Sequence, residues 1–341
     1  MRRIVSLILL AAALCSAVHA QAFCALRDPN RQIYRLFPKA TSYRSIVRTV
    51  DKDARREVGA RLPFNLHFNE LGRHTLYVPM RGDEALGLVH VRSEAGRWGL
   101  VEVAWGLDLD LRVINYEFQR CRDRQRDALE TEGVRRRLTG ADFGALRAML
   151  SEEGDELAPG RLPVEPAAVD LALTVLRNGL KTIAATEAAW MDDLTALRAD
   201  ALARELMPGA KTLKRVTPLH DKQCLDLLNS RVGEQGTGIQ RGSTSGWQVL
   251  DREGKRLGSV ITTAWQLDEL TVDLVCAVDR EGRILGLRTP GSWPTEEVER
   301  LYGAQVGKSP GDYETCAGPV ELAVFELLTT LESHALLKRR N

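Results

Sequence analysis

Two stretches of this chain repeat each other at a fixed spacing. Glu84 to Phe118 contains EALGLVHV and then WGLVEVAWGLDLDLRVINYEF, and Lys255 to Thr289 contains KRLGSVIT and then LTVDLVCAVDREGRILGLRT. Leu86-Gly87 matches Leu257-Gly258, Leu107-Asp108 matches Val278-Asp279, and Arg112-Val113 matches Arg283-Ile284, each at an offset of 171 residues. An offset held across separate landmarks marks an internal repeat, and it constrains the fold before any single residue does. The chain has 341 residues, room for two domains of roughly 150 each. Each copy is long enough to bury its own core.

Leu36-Phe37-Pro38-Lys39-Ala40 recurs as Leu206-Met207-Pro208-Gly209-Ala210 and marks the start of each copy. The polar stretch Gln21 to Arg35 reads as irregular. Ser42 is placed to cap a helix running to Val58, with Ile46, Val47, Val50 and Val58 on its apolar side, and copy two has a matching helix near Asp221 to Val232. Alternating segments then predict strands at His74–Met80, Leu86–Arg92, Gly99–Trp105 and Leu111–Phe118, answered by Trp247–Leu250, Leu257–Thr263, Leu270–Val278 and Arg283–Leu287. The short turns between them, such as Asp279-Arg280-Glu281-Gly282, imply antiparallel neighbours. Helices follow at Asp123–Arg137 and Ala141–Leu150, and at Thr295–Tyr302 in copy two. Amphipathic helices Ala167–Ala184 and Val320–Leu337 close the copies, and Thr186–Leu206, carrying Trp190, joins them. The expected fold is therefore α+β: two tandem repeats, each a twisted antiparallel sheet with flanking helices. The first copy is placed at 21–184, the connecting helix at 185–206 and the second copy at 207–341.

The N-terminus reads as a secretory signal over 1–20. Arg2-Arg3 is a basic start, Ile4 to Leu14 is apolar, and Val18-His19-Ala20 offers a cleavage site before Gln21. Export to the periplasm is the expectation for a Gram-negative source, with no transmembrane segment left in the mature chain. The 47 basic and 46 acidic residues nearly cancel, which argues against a nucleic-acid partner. Five cysteines remain after cleavage, an odd number. Export permits a disulfide such as Cys24–Cys121, whereas Cys276, inside an apolar strand, reads as a buried hydrophobe.

Catalytic signals are sparse. The histidines His67, His74, His90, His220 and His334 show no metal-ligand spacing, and His74 and His90 read as structural residues in strands. Asp108 and Asp110 are more simply turn residues than a carboxylate pair. No glycine-rich phosphate loop is present.

Copy two, however, carries a run that resembles a known family. Val278-Asp279-Arg280-Glu281-Gly282-Arg283-Ile284-Leu285-Gly286, then Thr289-Pro290-Gly291, is similar to the FMN-binding domain of bacterial electron-transport complexes. Its relatives include periplasmic subunits of Rnf-type complexes and of the sodium-translocating NADH:quinone reductase. That family continues with Asp-x-x-Ser/Thr-Gly-Ala-Thr before a helix, the last Thr being the one esterified to FMN phosphate. Here the stretch is Asp312-Tyr313-Glu314-Thr315-Cys316-Ala317-Gly318-Pro319: Asp312, Thr315 and Ala317 match, Cys316 replaces Gly, and Gly318 stands at the acceptor position. Copy one has Val164-Glu165-Pro166-Ala167 over Thr315 to Gly318, while Thr139-Gly140-Ala141-Asp142 aligns with Tyr302-Gly303-Ala304-Gln305.

A phosphoester needs a side-chain hydroxyl, so the resemblance implies FMN held without a covalent bond. Its contacts would be Thr289, Gly291, Thr315 and Gly318, the last just before a helix N-terminus. Trp293, and with it Trp105 and Trp265, could stack on the flavin ring. The function expected from the resemblance is flavin binding or an accessory role in periplasmic electron transfer, with a periplasmic or membrane redox complex as partner. The alternatives are a flavin-free degenerate repeat serving as an interaction or assembly module and, ranked last, a soluble flavin-dependent reductase.

Overall fold

A computed structural model describes residues 28–66, 70–216, 222–232, 240–267, 270–288, 303–309, 312 and 319–333. The signal sequence expected at 1–20 lies outside them, as do Cys24 and the helix expected at Thr295–Tyr302. The chain divides into two compact units, Met1–Asp192 and Asp193–Asn341. The break falls inside the 185–206 stretch expected to connect the copies.

The first unit begins with helix α1 (Asn30–Leu36), strand β1 (Ser42–Val50) and helix α2 (Lys52–Arg61). Strands β2 (Gly72–Arg81), β3 (Glu84–Ala85), β4 (Leu88–Gly96), β5 (Gly99–Leu107) and β6 (Val113–Arg120) follow. Short helices α3 (Arg126–Leu129), α4 (Glu132–Leu138) and α5 (Phe143–Arg147) lead to a 3₁₀ turn at Pro166–Ala168 and to α6 (Val169–Leu206). The sheet is an antiparallel meander in the order β1-β2-β4-β5-β6, with β3 paired to β2. Ile33, Leu36 and Phe37 of the α1 segment pack on Val89, Val91 and Ala104 at one sheet face. Residues of α6 cover the other.

The second unit has β7 (Thr212–Val216), α7 (Lys222–Val232), β8 (Gln240–Leu250), β9 (Arg256–Leu267), β10 (Leu270–Asp279), β11 (Ile284–Arg288) and α8 (Pro319–Ser333). Its sheet is again an antiparallel meander, β11-β10-β9-β8-β7. Ala199, Leu202, Ala203 and Met207 pack on Val249, Val260, Val275 and Ala277. The end of α6 thus does for the second sheet what α1 does for the first, with Ala203 in the place of Ile33 and Met207 in the place of Phe37.

The registers agree strand by strand, which makes the repeat a structural one. Ser42 pairs with Met80 as Thr212 pairs with Leu250. Leu88 pairs with Leu107 as Ser259 pairs with Val278. Leu107 pairs with Val113 as Val278 pairs with Ile284. The offset is 170 through the first strand pair and 171 thereafter, so the copies differ by one residue in the connection that includes β3. A Cβ on Gly87 would collide with the Leu107 carbonyl and the Phe37 ring, and one on Gly258 with the Val278 carbonyl and the Met207 side chain. The repeated Leu-Gly is therefore fixed by close approach of two backbones.

Four expectations change. Ser42 starts a strand rather than a helix: Tyr43, Ile46, Val47, Thr49 and Val50 suit an extended chain, and β1 pairs with β2 along its whole length. The helix cap is Asp51, whose carboxylate accepts from the amides of Asp53 and Ala54. Residues 30–36, expected to be irregular, are helical. The closing and joining helices are two, as expected, but they meet at a kink at Trp190 instead of near Ala185. Finally, Gly140 donates to the Val113 carbonyl and Val113 to that of Ala141, as Gly307 does to Ile284 and Ile284 to Lys308. Thr139-Gly140-Ala141-Asp142 therefore corresponds to Val306-Gly307-Lys308-Ser309, not to Tyr302-Gly303-Ala304-Gln305.

Gly87→Ala and Gly258→Ala should each lower stability by about 1–3 kcal/mol in denaturant unfolding. Gly59→Ala, in a helix with open space around the added methyl, should be neutral or stabilising by about 0.5–1 kcal/mol.

Candidate functional site

The densest group of polar side chains in the described structure lies in the first unit, between the sheet and α6. Strand alternation places His90, Arg92 and Glu94 of β4 on one face, with His74 of β2 beside them. Asn178, Lys181, Thr182 and Thr186 come down on them from α6, spaced at helical intervals. Glu70, just before β2, completes the group. His74, His90, Arg92, Glu94 and Lys181 are each 1 % exposed and Glu70 3 %.

Lys181 Nζ donates to Glu70 Oε1 (2.8 Å), to Glu94 Oε2 (2.8 Å) and to the Ser93 carbonyl (2.5 Å). Arg92 Nη1 donates to Glu70 Oε2 (2.6 Å) and reaches His74 Nδ1 at 3.3 Å. Two cations thus face two carboxylates. Burial pushes the Glu70 carboxyl up, but Arg92 and Lys181 outweigh burial and hold it below the usual carboxylate value. Glu70 also has φ of 58°, a left-handed backbone rare outside glycine, and its pinned carboxylate holds it there.

The hydrogen bonds assign both imidazole tautomers. His74 Nε2 lies 3.0 Å from the Glu70 carbonyl, so it carries the proton and Nδ1 accepts from Arg92. The Thr186 hydroxyl gives its proton to the Thr182 carbonyl (2.8 Å), so His90 Nδ1, 2.9 Å away, must be the donor between them. His90 Nε2 is then a buried lone pair with no hydrogen-bond partner among the described residues. Burial first and the Arg92 charge second push His74 down to about 4, and the same two causes push His90 well below its ordinary value. Both rings are neutral at pH 7. Trp190 lies edge-on to His90 (5.0 Å between centroids) and donates from Nε1 to the Ile46 carbonyl (3.0 Å), so it packs inside the first unit.

This arrangement binds one helix to one sheet. Its acids and bases are shielded from solvent, both carboxylates meet a cation, and His74 and His90 sit inside the group as neutral rings. The second copy differs at three of these positions: Thr244 and Thr263 stand at the places of His74 and Arg92 and bond to each other at 3.0 Å, and Ile261 stands at the place of His90. Sequence reasoning missed this network because its charges look like surface residues one at a time. The signal was the alternation of His90, Arg92 and Glu94 within a strand otherwise rich in apolar residues.

The flavin contacts implied by the resemblance, Thr289, Gly291, Trp293, Thr315 and Gly318, lie outside the described residues. The hairpin leading to them is described. Asp279 Oδ1 accepts from the amides of Glu281 and Arg283, both at 2.9 Å, and Asp108 does the same for Asp110 and Arg112. The Asp108-Asp110 pair is therefore turn chemistry. Asp312 Oδ2 accepts from the amide (2.7 Å) and hydroxyl (2.8 Å) of Ser309.

In copy one the aligned Val164-Glu165-Pro166-Ala167 has no hydroxyl and runs into the 3₁₀ turn. These residues do not fit covalent flavin. Trp105 does not fit a stacking role: it is 1 % exposed, donates to Asn178 Oδ1 (2.9 Å) and packs on Tyr116. Trp265 lies on β9. Cys121 and Cys276 are free thiols, and burial pushes Cys276 up to about 12, as expected of a buried hydrophobe. Among the described residues no cluster of His, Cys, Asp and Glu could hold a metal, and no helix is long and apolar enough to cross a membrane.

Lys181→Met should destabilise the first unit by about 3–5 kcal/mol, because it leaves Glu70 and Glu94 buried one cation short; urea unfolding followed by circular dichroism would read this. Stability should also fall with pH. The unfolded chain takes up a proton at His74 near its ordinary value of 6.5, while the folded chain resists until about 4. The stabilisation is therefore complete above that window and lost as pH falls through it, by about 3 kcal/mol for His74 alone. Urea midpoints measured across that range check this, and a flat profile would contradict it.

No family model, curated protein or solved structure matches the chain. The functional reading rests on the geometry above and on the residues that carry the resemblance.

Proposed function

We propose that this is an exported protein of two flavin-binding-type repeats, in which the second copy holds FMN non-covalently and serves periplasmic electron transfer. One observation carries the reading: Val278 to Gly318 resembles the FMN-binding pattern, with Cys316 in place of its Gly and Gly318 in place of the acceptor Thr. The hairpin of β10 and β11 supports it, with Asp279 capping the turn and β11 ending at Arg288, directly before Thr289-Pro290-Gly291. Gly318 precedes α8, whose first amides and dipole favour a phosphate group. Glycine offers no oxygen for a phosphoester, which is why the binding is non-covalent. Bound FMN would supply electron-transfer chemistry, and Thr289, Gly291, Trp293 and Thr315 would position it. The first copy serves as scaffold in this reading, since its positions do not fit the group. The partner would be a periplasmic or membrane redox complex.

The departures from the motif at Cys316 and Gly318 favour a second reading, a flavin-free degenerate repeat serving as an interaction or assembly module. The visible absorption spectrum separates the two. Purified protein should absorb as a flavoprotein near 450 nm (on the order of one FMN per chain), and the colour should leave on denaturation and filtration. Flavin that stays with the denatured chain would overturn the role of Gly318. Colourless protein that takes up no added FMN would favour the module.

A further inference from the structure

The first unit also holds a cleft that neither the ionic core nor the flavin reading uses. It has a volume of about 310 Å³ and lies where α4 and α5 meet the loop at Arg161. This is the lower end of the range for small-molecule sites. Arg137 and Arg161 line it, held together by a bond from Arg137 Nε to the Arg161 carbonyl (2.8 Å). Among the described residues neither guanidinium has a carboxylate partner. The acid next to the cleft, Asp142, is engaged: its Oδ1 accepts from the Ala145 amide (2.8 Å) and its Oδ2 lies 3.8 Å from Arg112. Two arginines therefore line one space, and among the described residues no carboxylate pairs with either.

The rest of the wall is of a different kind. Ala145, Ala148 and the buried Met149 form a small, apolar floor. Thr139 stands at the rim, its hydroxyl proton already given to the Arg135 carbonyl (2.9 Å), so its oxygen offers only lone pairs. The lining asks for a molecule with an anionic head for the arginines, a flat apolar body for the floor and a hydrogen-bond donor for Thr139.

We propose that this cleft binds a small organic anion, a carboxylate or phosphate ester on a compact apolar body of about ten non-hydrogen atoms. Planar guanidinium pairs recognise both oxyanions by charge-assisted, two-pronged hydrogen bonds. The site lies in the first unit and is independent of whether the second copy holds flavin.

The test is isothermal titration of the full mature chain with three probes: salicylate, phenyl phosphate and inorganic phosphate. Saturable one-to-one binding of salicylate or phenyl phosphate is expected, tighter than inorganic phosphate, and whichever is tighter identifies the head group. Arg137→Gln and Arg161→Gln should each weaken it about tenfold or more. Both side chains are exposed, and circular dichroism confirms that the variants fold. Ala148→Leu keeps both charges, fills the floor and should block the aromatic probes. The proposal is overturned if none of the three probes saturates, if inorganic phosphate binds as tightly as the aromatic anions, or if the variants leave affinity unchanged.

Discussion

One ammonium group, that of Lys181, sits where the first unit can least do without it. It joins helix α6 to Glu94 of the sheet and to Glu70 on the chain entering β2. A buried carboxylate without a cation is costly, and two of them depend on this one lysine together with Arg92. The left-handed backbone at Glu70 and the seating of α6 follow from it, while the neutral state of His74 follows from burial and from the Arg92 charge in the same group. The sheet supplies charges that make no sense on their own, and the helix supplies the partner that gives them a place.

The comparison between copies shows which parts of the repeat are constrained by geometry and which by chemistry. The face covered by α1 in one unit and by the end of α6 in the other keeps its character: apolar, with a Leu-Gly where two backbones touch. The opposite sheet face diverges, with His74, His90 and Arg92 in the first unit and Thr244, Ile261 and Thr263 at the matching places in the second. Close packing leaves the first face little freedom. The second tolerates either solution, provided that every buried charge has its counterpart.

Much of this was legible in the chain itself. The fixed offset, Leu86-Gly87 against Leu257-Gly258, and the Asp-capped turns made two antiparallel copies readable, because backbone approach and turn geometry act locally. The segment at Ser42 was misread because its apolar residues fit helical spacing as well as they fit a strand, and only pairing with β2 decides between them. The ionic core was invisible for a related reason: Glu70 and Lys181 are 111 residues apart, and nothing in the spacing of either announces the other. The glycine junctions at Gly140 and Gly307 likewise became equivalent only once their hydrogen bonds to Val113 and Ile284 were seen. The implied flavin contacts rest on motif likeness, which carries chemistry but not position.

Two sheets of the same order and register within one chain create a problem of identity during folding, since a helix could settle on the wrong copy. The ionic core acts as an address. The α8 residues that face inward include Ala323, Val324, Leu327 and Leu328. Laid over β4 of the first sheet, these aliphatic side chains would strand Glu70 and Glu94 without their lysine, while α6 laid over the second sheet would bury a lysine among threonine and isoleucine. Either exchange costs several kcal/mol, on the order of a domain's whole stability margin. Buried charge thus lets a duplicated architecture tell its halves apart.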